Sequence, residues 1–318
     1  MPHSDSEEPL TKMPRRFRFG CVAREVLPSR RAWLDRVRML DDSGYDVVLC
    51  PDHLGLWPPF TPLVVAAEVS DRLRFATQVL NIEFWNPALL AREAAAVDIL
   101  TDGRLELGFG AGHAEEEFRA AGLDYPSPGR RVDHLAEAIP LVQGLLAGET
   151  ITSGGHYRLV DSTTGLHTVQ DRVPIMVGGN GDRVLDLAAR TADIVGLVGF
   201  TAGTGQRSGD LSHFGWDGLA NRVAQVRRAA PNRADDLELS LLVQAVDVTD
   251  NREATAERIA EAFHQTPDFI LNSPFVMVGS ASELADQLRR LRSDHGVTYI
   301  TVFDNYATDL AKVIRLLD

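Results

Sequence analysis

Eight short runs rich in β-branched and aromatic residues punctuate this chain, and a segment with helical spacing follows each. They are FRFGCV (17–22), DVVLC (46–50), LRFATQV (73–79), RLELGF (104–109), PIMVG (174–178), DIVGLV (193–198), LSLLVQAV (239–246) and TYITVF (298–303). Alternation of this kind points to βα units and a parallel sheet. Eight units is the number that closes a barrel, so the expected fold is α/β, a single (β/α)8 TIM barrel with loop insertions. A doubly wound open sheet remains the alternative, because periodicity does not register closure.

Helix signals fit between the runs. Ser29 caps a helix through Met39 that ends near Gly44, Asn86-Pro87 supplies a cap and a first-turn proline, and SASELADQLRRL from Ser280 carries Ser282 as its cap. Three stretches fall outside the repeat. Residues 149–172 read as a turn-rich hairpin, while 199–215 and 264–275 are long enough to close over a site. The barrel domain is expected over 16–318, behind a disordered tail over 1–15. That tail, MPHSDSEEPLTKMPRR, has no apolar centre of a signal sequence.

Composition narrows the partners. The chain has 318 residues, 44% hydrophobic and 24% charged, and no segment approaches a membrane-spanning apolar run. A net charge of −13 opposes binding to nucleic acid. Cys21 and Cys50 lack any CxxC spacing and read as buried, reduced thiols of a cytoplasmic protein. Only Lys12 and Lys312 are lysine among the 32 basic residues, a skew toward arginine that fits a high-GC, actinobacterial genome.

In a barrel the chemistry lies at the carboxyl ends of the strands. The second run stops at Pro51 and releases Asp52, His53 and Trp57. The third ends in Gln78, Val79, Leu80 and Asn81, the fourth in GFGAGHAEEEF, and the fifth in GGNGDR. Gly108, Gly110 and Gly112 imitate a dinucleotide fingerprint, but position 113 is His and the motif follows the fourth strand rather than the first. The glycines fit either the close approach of a planar or anionic ligand or a tight turn alone. Gly178 to Arg183 precede a helix, where backbone N–H groups and Arg183 suit a phosphate; a glycine turn with a surface arginine is the other reading. No HExxH, CxxC or GxSxG motif occurs, so neither a metal site nor a serine nucleophile is expected.

In this order, FRFGC, PDHLGLW, LRFATQVLNIEFWNPALLARE, DGRLELGFGAGHAEEEF, PIMVGGNGDRVLDLAARTAD, MVGSASELADQLRRL and TYITVFD resemble the luciferase-like monooxygenase superfamily, and within it the coenzyme F420-dependent oxidoreductases. The resemblance implies F420 at the carboxyl ends of the barrel and a non-prolyl cis peptide at Gln78-Val79. It places cofactor contacts on Asp52, Val79, Leu80, Asn81, Ala111, Gly112, Glu116, Asn180 and Gly181, with the phosphate near Gly178, Gly179 and Arg183. His53 and Trp57 match the family's active-site histidine and tryptophan, and His113 is a second candidate for proton transfer. In the sugar-phosphate dehydrogenases of the family a glutamate follows the glycine turn where this chain has His113, and their substrate-holding lysines have no counterpart here. The expected activity is therefore hydride transfer from F420 to an activated C=C or C=N bond of a small organic or peptide-derived substrate, as in natural-product biosynthesis. An FMN-dependent monooxygenase and a barrel that binds without turnover are the competing readings. A homodimer is compatible with the apolar outer helix faces.

Overall fold

A computed structural model of the protein describes residues 15–201 and 210–317. The tail expected over 1–15 thus lies, apart from Arg15, outside the described residues, as does the centre of the 199–215 loop.

The eight runs become eight parallel strands: β1 (Arg18–Val22), β2 (Val47–Cys50), β3 (Arg74–Thr77), β4 (Leu105–Gly110), β5 (Ile175–Gly179), β6 (Ile194–Leu197), β7 (Glu238–Val243) and β8 (Val297–Phe303). Each pairs with its sequence neighbour, β8 returns to β1, and Phe75↔Leu105 with Ala76↔Glu106 joins β3 to β4. The sheet is closed, which decides against the open doubly wound alternative. Val22, Val47, Leu49, Ala76, Met176, Ile194 and Tyr299 fill its interior, while a larger apolar layer packs the barrel wall against the helices. Cys21 and Cys50 are free and buried.

The helix punctuation acts locally. Ser29 accepts a hydrogen bond from the Ala32 N–H at the start of Arg30–Asp42, and Asn86 accepts from Ala88 and Leu89 ahead of Pro87–Leu100. In the helix Ala281–His295 the cap is Ser280, not Ser282. Its hydroxyl accepts from the Glu283 N–H, and the Glu283 carboxylate accepts from the Ser280 N–H, a reciprocal box that a cap two residues later would lack.

Residues 149–172 contain the expected hairpin, Ile151–Gly154 against Arg158–Ser162. The seventh run divides. Glu238–Val243 stays in the barrel, whereas Ala245–Val248 leaves it and pairs with a strand not anticipated from sequence, Val276–Gly279.

At the amino ends of the strands, Arg18 bonds the carboxylates of Glu106 and Glu238, and Arg74 Nε donates to Glu106 over 2.5 Å. Arg18 also lies 4.4 Å over the ring of Tyr299. Burial works against the charge of Arg18, but Glu106 and Glu238 more than offset it and hold the guanidinium protonated.

Candidate active site

The rim at the carboxyl ends begins where β3 leaves the ladder. The Thr77 hydroxyl donates to the Gly108 carbonyl at 3.0 Å and accepts from the Gly108 N–H at 2.8 Å, so a side chain replaces two ladder bonds. The peptide bond Gln78-Val79 that follows is cis. Leu80 and Asn81 then rejoin the sheet opposite Phe109 and Gly110. Val79 lies over three glycines: a Cβ on Gly110 would sit 2.6 Å from its Cγ2, and one on Gly178 3.1 Å from its Cγ1. On Gly108 a Cβ would come 2.0 Å from the Thr77 carbonyl oxygen. These glycines are required by the approach of the protein's own backbone and Val79, a tighter constraint than either reading of the motif supplied. Gly112 has φ +72°, and a Cβ there would meet the Asn81 carboxamide oxygen at 2.2 Å.

Asp52 at the end of β2 ties this feature to its neighbour. Its Oδ2 accepts from the Asn81 N–H at 3.1 Å and from Trp85 Nε1 at 2.8 Å. Burial raises the Asp52 carboxyl above the ordinary carboxylate range, and the Trp85 and Asn81 bonds pull it back only in part.

Beside it, His53 Nδ1 lies 2.8 Å from Glu117 Oε1. With Nδ1–H donating to that carboxylate, Nε2 of the neutral ring is left to accept a proton. His113 meets His53 edge to face with ring centroids 5.6 Å apart. It sits on the open side of the rim, yet desolvation by its neighbours, and then the nearby His53, hold it below the ordinary histidine range. Trp57 packs edge-on against Trp33, centroids 5.7 Å apart, and lines a small recess with Arg24, Cys50, Leu56 and Pro62. Ala111 is half-buried between Gly110 and Gly112. Glu116 is exposed, and its neighbour Glu117 is the carboxylate that turns toward His53.

Across the mouth, β5 delivers Gly178, Gly179, Asn180 and Gly181 to the helix Asp182–Thr191, whose first turn has no side-chain cap. Asn180 is buried, and its Nδ2 donates to Thr201 Oγ1 at 3.2 Å. Arg222 bonds the Asn180 carbonyl at 3.3 Å, Asp182 Oδ1 at 2.5 Å and the His213 ring. Arg183 turns away: it donates to the Gly129 carbonyl at 3.1 Å and to Asp133 at 2.5 Å, tethering the helix Pro128–Leu146. The basic group beside the uncapped helix end is thus Arg222, with His213, and from them a groove of about 660 Å³ runs outward between this helix and Trp216–Ala229, lined also by Asp186, Arg190 and Arg228.

Two buried acceptors at the rim have no partner among the described residues, Gln78 Oε1 and Asn180 Oδ1. Both stand at strand ends on the open side of the barrel. They are suited to a ligand carrying N–H or O–H donors, and the uncapped helix end to an anion.

The profile of the luciferase-like monooxygenase family matches residues 17–299. The chain belongs to that family. Among relatives of this luciferase-like protein, an F420-dependent glucose-6-phosphate dehydrogenase of Nakamurella multipartita is 28% identical over 254 residues, which is 77% of this chain and 71% of the relative. An enzyme of the same name from Microbacterium testaceum is 30% identical over 190 residues, covering 57% of this chain and 56% of the relative. The chain therefore spans little more than half the length of that relative. An F420-dependent secondary alcohol dehydrogenase, solved with an F420-acetone adduct, superposes with a TM-score of 0.76 at 19% identity, over 95% of this chain and 99% of that one. At that identity the likeness is one of fold.

Glu117, Trp85, Thr201, His213 and Arg222 join the site without having been singled out in the sequence. Glu117 is one of three consecutive glutamates, and nothing in the string EEE selects the member that faces inward. Trp85 was signalled only by lying four residues past Asn81, within one turn of the strand end.

Proposed function

We propose that this chain is an oxidoreductase that uses coenzyme F420 to pass a hydride to a small organic or peptide-derived substrate, reducing an activated C=C or C=N bond. The observation that carries the reading is the set of unfilled groups at one rim: the Gln78 and Asn180 acceptors and the uncapped helix beside Arg222. A deazaflavin ring with an imide N–H, joined to a phosphate, presents the complementary donors and charge. When bound, F420 supplies a two-electron donor that gives hydride and reacts poorly with oxygen.

The chain's own residues do the rest. Val79, wedged over Gly108, Gly110 and Gly178, forms a fixed ledge behind the ring position. Asp52 holds the Asn81 backbone and Trp85 in place. Protonated His53, its charge opposed by the Glu117 carboxylate 2.8 Å away, gives a proton to the substrate atom that develops negative charge. The ring is left neutral, with Nδ1–H still on Glu117. His113, held toward its neutral form, stands edge to face against it without adding a competing positive charge.

The relatives' printed activity on glucose 6-phosphate is a less suitable match. A sugar phosphate needs cations at the mouth, and Lys312 is paired with Asp309 on the last helix, while Lys12 lies outside the described residues.

Titration of the apo-protein with F420 and, separately, with FMN, followed by fluorescence, tests the cofactor. F420 should bind at least about tenfold more tightly; preference for FMN would support a monooxygenase, and binding of neither would leave a barrel without turnover. Reduced F420 offered with an activated enone, an imine and 6-phosphogluconolactone then tests the substrate class. Consumption with the lactone alone would overturn the C=C or C=N assignment.

A further inference from the structure

The structure gathers a second cluster outside the mouth, where no sequence motif announced one. Glu83 sits in the short turn Ile82–Phe84 directly after Asn81, His134 is buried on the helix Pro128–Leu146, and His156 occupies the exposed turn of the inserted hairpin. One ligand atom from each lies within 4.8 Å of the others. His134 Nδ1 is 2.9 Å from Glu83 Oε1, and the two imidazoles stack with centroids 3.5 Å apart and planes 8° from parallel. Neither ring nitrogen of His156 makes a hydrogen bond among the described residues, although its backbone N–H is fixed on Glu137 at 3.1 Å.

A second observation points to a ligand at this place. The hydroxyl of Tyr157 is buried without a partner among the described residues, on a residue only 7% exposed. Its ring stands edge-on to both imidazoles, with centroids 6.4 Å from His134 and 4.6 Å from His156. An unmet buried hydroxyl beside a carboxylate and two imidazoles is a set of donor atoms waiting for a common acceptor.

We propose that Glu83, His134 and His156 bind a divalent transition-metal ion of the zinc class, with the Tyr157 hydroxyl or a water completing four-coordination. Mixed imidazole and carboxylate donors suit that ion, whose ligand atoms lie roughly 3.3 Å apart when each is about 2.0 Å from the metal. The His134–Glu83 separation of 2.9 Å need widen by only about 0.4 Å to reach that spacing. Two parallel rings cannot both hold an ion in their planes, so His156, on the exposed hairpin turn, rotates off the stack. The ion takes the place of the proton shared by His134 and Glu83, and that proton is released to solvent. Its effect is to fasten the hairpin and the long helix to the turn that follows Asn81, whose backbone bonds Asp52.

Equilibrium dialysis of the full-length protein against Zn2+ and against Co2+, without cofactor, tests this. The expected result is one bound ion per chain, a Co2+ visible spectrum typical of tetrahedral coordination, and a melting temperature raised by Zn2+. His156→Ala should weaken binding at least about tenfold and abolish the thermal shift, while His53→Ala leaves both in place. Absence of a stoichiometric ion at submillimolar free metal would overturn the proposal. So would binding that survives His156→Ala, or that is lost instead in His53→Ala, which would place the ion at the mouth.

Discussion

At the amino ends of the strands, Arg18, Arg74, Glu106 and Glu238 form an ion network in which every charge faces an opposite one. At the carboxyl ends, Asp52 accepts from the neutral donors Asn81 and Trp85, and Gln78 and Asn180 keep acceptors with no partner among the described residues. Orphan atoms occur at the first pole too, Glu106 Oε2 and the Tyr299 hydroxyl among them. There they are enclosed together, and after burial Glu106 is the strongest influence on Tyr299. At the second pole they are equally buried but stand just beyond the ends of β3 and β5, where the strands give way to the rim. A closed network stabilises closure of the barrel; an incomplete one at an open rim is prepared for a ligand.

That contrast breaks most visibly at Glu106. Glu106→Ala leaves half-buried Arg74 without a carboxylate and Arg18 with Glu238 alone, and should cost about 3 kcal/mol in denaturant unfolding, the low end for a broken buried pair, while the folded fraction keeps its F420 affinity. Equal loss of affinity would mean the poles are coupled. His53→Ala should act in reverse, lowering turnover at least about hundredfold with stability within about 1 kcal/mol and cofactor affinity within about tenfold. Unchanged turnover would remove His53 from the chemistry.

Arg222→Ala should weaken F420 binding by roughly 10–100-fold in a fluorescence titration, the value of a charge-assisted hydrogen bond near a phosphate. The pH response is smaller. His113 has a folded-state value below its ordinary 6.5, so its stabilising contribution is present above that value and is lost as pH falls through the lower one. The melting temperature should therefore decline on mild acidification, less so in His113→Gln. Arg183→Ala should change least: its guanidinium is turned away to Gly129 and Asp133, whereas Arg222 keeps a buried Nε with no partner among the described residues, so F420 affinity should stay within about threefold.

The strands were legible because each carries a compact β-branched run between helix caps, and the order of strand ends followed from parallel topology. What escaped the sequence depends on tertiary facing. Gly108 and Gly110 look like a ligand-binding turn, but the atoms pressing on them come from Thr77 and Val79, some thirty residues earlier in the chain. Arg183 and Arg222 are equally basic in the sequence, and only helix packing decides that the first tethers a neighbouring helix while the second turns to the Asn180 carbonyl. The strand Val276–Gly279 was missed because four residues beside a proline carry no period, and its partner comes from the far end of a run already assigned to the barrel. Glu83, His134 and His156 lie on three separate elements, a distribution that no spacing rule detects.

The fit between Thr77, Val79 and the glycines of β4 and β5 also sets where this scaffold can change. Any side chain at position 108 or 110 collides with backbone or with Val79, which leaves that arc of the rim closed to diversification. The opposite arc, from the end of β6 to the strand pair outside β7, is built from longer connections, in which Gly199 against Phe275 and Gly218 against the His213 backbone are constrained positions among the described residues. Libraries meant to alter what the protein accepts should be concentrated there, and inherited differences in selectivity among its descendants should have accumulated on the same side.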